Sequence, residues 1–123
     1  MFTFEKLEVW QKAIDFADLI YNETRRFPAE ERFGLTNQLR RAAVSISSNI
    51  AEGSSRSSKT DFARFTEIAA GSVFEAVSQA FIARRQSFLN EQQFRGIYGN
   101  AEELSRMLSG LRKSLLSTLN SQL

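Results

Sequence analysis

Leu35-Thr36-Asn37-Gln38-Leu39-Arg40-Arg41-Ala42-Ala43-Val44-Ser45-Ile46-Ser47-Ser48-Asn49-Ile50-Ala51-Glu52-Gly53 is the stretch on which the reading of this chain turns. At about 100° per residue, Leu35, Leu39, Ala42, Ile46, Asn49 and Gly53 fall on one stripe. The period is helical. It predicts a helix with its main body from about Phe33 to Glu52 and Gly53 as its C-terminal stop. From Ala42 to Ala51 the sequence carries no charge on any side. A helix of a monomeric bundle exposes one face, and that face is normally charged. Here the outward face offers Val44, Ser47, Ser48 and Ala51, small enough for another backbone to approach. This predicts burial of the face against a second subunit.

Helical periodicity continues on both sides. A first helix is predicted from about Leu7 to Arg26, with Trp10, Ala13, Ile14, Ala17, Ile20, Tyr21 and Thr24 on its apolar side. Trp10 and Tyr21 are expected there as core residues. Phe27-Pro28 ends this helix, because the residue before Pro is pushed away from helical angles. Pro28 then suits the start of a new turn, with Glu30 and Glu31 in its dipole-favoured first positions. Phe2 and Phe4 precede the first helix and need cover, for which a local staple suffices.

The Ser-rich stretch Ser54-Ser55-Arg56-Ser57-Ser58 reads as a connection. Ser58 with Asp61 resembles a capping box and opens a third helix that runs to about Ser87. Phe62, Phe65, Ala69, Val73, Ala76, Ala80 and Ala83 form its inner stripe. A second stripe carries Ala70, Phe74, Val77, Phe81 and Phe88, and Ile82 lies further round. Asn90 with Gln93 is another capping box and opens a fourth helix. Phe94, Ile97, Ala101, Leu104, Leu108, Leu111 and Leu115 are its apolar positions. Long helices with short connections pack antiparallel to their sequence neighbours. The expected fold is therefore all-α, an antiparallel up-and-down four-helix bundle, with residues 1–123 as a single domain. The two stripes on the third helix exceed what four helices hide, so a homo-oligomer is expected, with Phe74 and Phe81 joining the second helix at the interfaces.

Composition narrows the chemistry. The chain has neither Cys nor His. This excludes disulfides, thiolate nucleophiles, triads that use His and the Glu-x-x-His pattern of di-iron bundles. Glu52, Asp61, Glu67 and Glu75 remain as acid/base or metal-ligand candidates. Asp61 is accounted for by its cap, Glu52 by a pair with Arg56, and Glu67 and Glu75 lie two turns apart and face outward. Neither an enzyme nor a bound cofactor or metal is expected. No segment approaches a membrane span, and Glu5, Lys6 and Glu8 stand where a signal peptide would be apolar, so the expected setting is the cytoplasm, without membrane contact.

The net charge is only +2, but twelve Arg stand against four Lys. Arg presents a planar fork of donors suited to phosphate. Arg40 and Arg41 flank the small-residue face, and Arg56, Lys59 and Arg64 cluster around the Ser-rich connection. These five are the expected contacts to nucleic-acid backbone; Arg84 and Arg85 are second choices, and Arg25-Arg26 is a further basic pair. The competing expectation is a scaffold that binds only protein, its Arg residues spent on ion pairs such as Arg64 with Glu67. No Gly-rich phosphate loop, helix-turn-helix or aromatic RNA-binding motif supports sequence-specific readout.

Several ordered motifs carry a family resemblance. They are Leu7-Glu8-Val9-Trp10-Gln11-Lys12-Ala13, Phe27-Pro28, Phe33-Gly34-Leu35 with Gln38-Leu39-Arg40-Arg41-Ala42-Ala43-Val44-Ser45-Ile46, Ser48-Asn49-Ile50-Ala51-Glu52-Gly53 with Arg56, Asp61-Phe62 and Gly71-Ser72. Together they resemble the four-helix-bundle proteins known as 23S rRNA-intervening-sequence proteins. The resemblance implies an up-down bundle and, as in some members, a homopentamer. It also implies kinship with the accessory variability determinants of diversity-generating retroelements, which bind nucleic acid and a reverse transcriptase through a basic surface. The third helix departs from the family pattern: Ala76 and Ala80 stand where larger apolar residues are usual, and Ala70 where a basic one is frequent.

Overall fold

The computed structural model describes residues 1–121; Gln122 and Leu123 lie outside the described residues. Four helices follow one another: α1 (Glu8–Thr24), α2 (Leu35–Ser54), α3 (Lys59–Arg85) and α4 (Glu91–Ser121). Short 3₁₀ turns at Thr3–Lys6 and Ala29–Glu31 precede α1 and α2. No strand occurs among the described residues. Each helix packs on its neighbours in sequence, and α1 closes the ring against α4. Contacts across the interfaces run in opposite order along the two helices. Ser72 Oγ meets Ser45 Oγ at 2.9 Å while Gln79 Nε2 donates to Gln38 Oε1 at 3.4 Å. On the other side of α3, Arg84 reaches Glu91 and Arg112 reaches Glu67, each at 3.3 Å. The molecule is an antiparallel up-and-down four-helix bundle.

Capping explains two of the helix starts. The Asp61 N–H donates to Ser58 Oγ at 3.1 Å, opening α3. Asn90 and Gln93 each donate a backbone N–H to the other's side chain at 2.8 Å, a reciprocal capping box for α4. The start of α2 is held differently: the Leu35 N–H donates to Glu31 Oε1 at 3.2 Å, and Phe33, expected inside the helix, stands outside it and 86% exposed.

The core is built from large side chains of α1, α2 and α4 around an Ala-lined α3. Phe16, Ile20, Leu39, Ile46, Ile50, Ile97, Leu104 and Leu108 are fully buried, each contributing about 1.5–3 kcal/mol. Ala69, Ala76, Ala80 and Ala83 present almost no exposed surface. Their methyl groups let α2 and α4 approach α3 closely, which is why small residues stand at these inner positions.

Two sequence expectations change. The buried stripe of α1 is Val9, Ala13, Phe16, Ile20 and Thr24, rotated towards α4 from the side expected. Ile14 and Trp10 are only half-buried, with Phe4 packed on Trp10 at 4.8 Å, and Tyr21 is exposed instead of in the core. A helix with two neighbours buries a wide wedge, and Phe16, the largest side chain of the buried stripe, takes its centre. Gly53 is not a helix stop. It lies inside α2, buried and without positive φ, where a Cβ would meet Phe65 Cβ at 2.7 Å.

Candidate functional site

The expected nucleic-acid contacts do not converge. Arg40 and Arg41 lie in the second turn of α2, whereas Arg56, Lys59 and Arg64 lie beyond its far end, about 20 Å away along the helix. At that far end the arginines are occupied. Arg56 pairs with Glu52 at 3.7 Å and covers the Phe65 ring. Arg64 pairs with Asp61 at 3.5 Å, not with Glu67, which is taken by Arg112. Lys59 is exposed and makes no ion pair among the described residues. Arg84 is held by Glu91 and stacks on Phe94 at 3.9 Å; Arg85 is exposed.

The corner between α1 and α2 is different. Arg25, Arg32, Arg40 and Arg41 gather there, and none has a carboxylate within ion-pair distance among the described residues. Arg40 is fixed in place. Its Nε donates to Thr24 Oγ1 at 2.9 Å, its Nη2 donates to the Tyr21 carbonyl at 3.4 Å, and its guanidinium lies 4.5 Å from the centre of the Tyr21 ring. Thr24 is itself anchored by donating to the Ile20 carbonyl at 2.7 Å. Arg40 stands between two open hollows. One, of about 570 Å³, is lined by Tyr21, Asn37, Arg40, Arg41, Val44 and Ser45. The other, of about 320 Å³, includes Arg25, Phe27, Pro28, Arg32 and Thr36. Carboxylates are not absent from this corner, but Glu31 is engaged at the start of α2. Arg32 and Asn37 escaped sequence reasoning because the chain leaves and re-enters helix between them.

The expected interface residues also separate into groups. Val44, Ser48 and Ala51 sit on the outer side of α2, with Val44 43% exposed. Ser47 does not join them: it is buried by its own chain, and its hydroxyl donates to the Val44 carbonyl at 3.1 Å. The helical turn places it on the α1 side of α2, so it has no surface to offer a partner. Phe74 is 70% exposed at the edge of a hollow of about 210 Å³ between α3 and α4, whose other walls include Val73, Val77, Tyr98 and Ala101. Phe81, nearby, already packs on Phe94 at 4.8 Å and Tyr98 at 6.2 Å.

Among the described residues, no three carboxylates come close enough together to hold a metal ion, and no helix is long and apolar enough to cross a membrane. Glu52, Asp61 and Glu67 are each committed to an arginine.

Residues 5–110 match the family model described as 23S rRNA-intervening sequence protein. The chain belongs to this family. The four-helix architecture of the 23S rRNA-intervening sequence proteins is also found in a solved structure from Bacteroides thetaiotaomicron, a protein of unknown function from the S23 ribosomal protein family. The two chains superpose with a TM-score of 0.78 at 24% identity, covering 85% of this chain and 95% of the other. That likeness establishes a shared fold. No curated protein matches the chain. Membership accounts for the motifs from Leu7 to Ser72.

Proposed function

We propose that this protein is a non-catalytic, self-associating cytoplasmic adaptor that binds the backbone of RNA or DNA. The observation that carries the reading is the α1–α2 corner, where four arginines share adjoining hollows without an ion pair. Of the eight arginines elsewhere, Arg56, Arg64, Arg84, Arg95 and Arg112 pair with carboxylates among the described residues. Unpaired guanidinium groups crowded together repel one another, and an incoming phosphate relieves that repulsion. The sites proposed as phosphate contacts are therefore Arg25, Arg32, Arg40 and Arg41, with Lys59 as a separate cation; Arg56 and Arg64 are assigned to helix-end pairs.

Self-association is the second part of the reading, and the exposed Phe74 ring beside the α3–α4 hollow supports it together with the uncharged α2 face. A scaffold without a nucleic-acid role accounts for these apolar surfaces equally well. Salt separates the two. Binding to labelled duplex DNA and RNA should weaken steeply with ionic strength, with a log–log slope near −0.9 per phosphate neutralised on the DNA. Arg41→Glu, an exposed position, should weaken binding without changing mass by light scattering. Arg40 is a poor test position, because its loss also removes the contact between α1 and α2. Absence of binding to either nucleic acid at low salt rejects the adaptor reading and leaves the scaffold.

A further inference from the structure

The corner has a feature that phosphate binding alone does not use. Arg40 is stacked and oriented before any ligand arrives, with its Nε on Thr24 and one Nη2 proton on the Tyr21 carbonyl. A guanidinium has five N–H donors, so three remain without a protein acceptor. Tyr21 backs the planar group at 4.5 Å and is itself 38% exposed. In the same hollow Asn37 is exposed, with no hydrogen bond from its side-chain amide to another described residue. Flat, partly apolar surface, a free amide and flanking cations suit a nucleobase with its phosphates, not a phosphate alone. A base inside a duplex has both faces covered by its neighbours and cannot lie on such a surface, whereas the bases of a single strand can.

We propose that the α1–α2 corner is a site for single-stranded nucleic acid. One unstacked base lies against the Tyr21–Arg40 pair within reach of the Asn37 amide, and neighbouring phosphates meet Arg41 on one side and Arg25 and Arg32 on the other. The inference rests on the nucleic-acid reading above and narrows it. Tyr21 is a binding residue through its ring, and its hydroxyl is dispensable.

The test compares a single-stranded oligonucleotide carrying 2-aminopurine with its duplex, at one low salt concentration, on the full chain. The single strand should bind about ten-fold more tightly than the duplex, and the 2-aminopurine fluorescence should change on binding. Tyr21→Ala should cost the single strand about ten-fold or more and cost the duplex less, while Tyr21→Phe should bind like wild type. Circular dichroism on each variant separates a lost site from a lost fold; should Tyr21→Ala unfold, Asn37→Ala, at an exposed position, replaces it and should weaken the single strand alone. Equal affinity for single strand and duplex, or indifference to loss of the Tyr21 ring, overturns the single-strand site while leaving backbone binding intact. Binding of neither nucleic acid overturns the reading on which it rests.

Discussion

A methyl group added at Gly53 would sit 2.7 Å from Phe65 Cβ and 2.9 Å from Phe62 Cδ1. Glycine inside a helix ordinarily costs about 1 kcal/mol relative to alanine. Here the close approach of α3 outweighs that gain, since overpacking costs about 1–3 kcal/mol. Gly53→Ala should therefore lower the melting temperature in a circular dichroism melt. Gly96 has nothing within 4 Å of the equivalent position, so Gly96→Ala should raise it, by about 0.5–1 kcal/mol in stability. Opposite signs for the same substitution in the same kind of helix check the packing directly. Thr24 makes a similar point with a polar group. Its hydroxyl is the acceptor that holds Arg40 Nε, and Thr24→Val keeps the shape while removing it. Chemical denaturation should show a loss of about 1 kcal/mol.

At the scale of the element, helix starts and helix faces were unequally readable. Ser58 and Asp61, and Asn90 and Gln93, are local signals three residues apart, and they bond as that spacing dictates. Asn90→Ala removes one arm of the reciprocal box, and equilibrium unfolding should register a loss of about 1 kcal/mol. The faces were legible only up to a rotation. Periodicity shows that α1 has an apolar side, but the second neighbour, α4, decides that Phe16 is central and Tyr21 marginal. For the same reason Ser47 belongs to the chain's own packing while Val44 does not. Ion pairs were least legible: Lys12 with Glu103 and Arg112 with Glu67 join residues far apart in sequence, and no local pattern announces them. The candidate site inherited that difficulty. Which arginines stay free depends on where every carboxylate goes.

For the whole molecule, the two apolar surfaces lie on different sides of the bundle, one on α2 and one between α3 and α4. Contact between unlike faces propagates from copy to copy until rotation closes a ring. Val44→Arg and Phe74→Glu alter exposed positions, so each variant should keep its helical spectrum. Light scattering should show each shifted towards monomer, because a charge buried without a partner costs several kcal/mol. A monomeric wild type at working concentration contradicts the assembly.

The helices are unequal: α1 has 17 residues against 27 in α3 and 31 in α4, and it packs least extensively on its neighbours. In native-state hydrogen exchange, α1 should therefore open at lower free energy than α3, as a unit separate from global unfolding. Tyr21 and Thr24 ride on α1 while Arg40 rides on α2, so each opening event takes the corner apart. Any ligand held across that corner binds only the closed form and must slow exchange of α1 amides more than those of α3. Exchange measured by mass spectrometry, with and without a saturating single-stranded oligonucleotide, would show protection rising selectively in the peptide spanning residues 8–24. The shortest helix would thus act as the clasp, with its lifetime set by what the arginines hold.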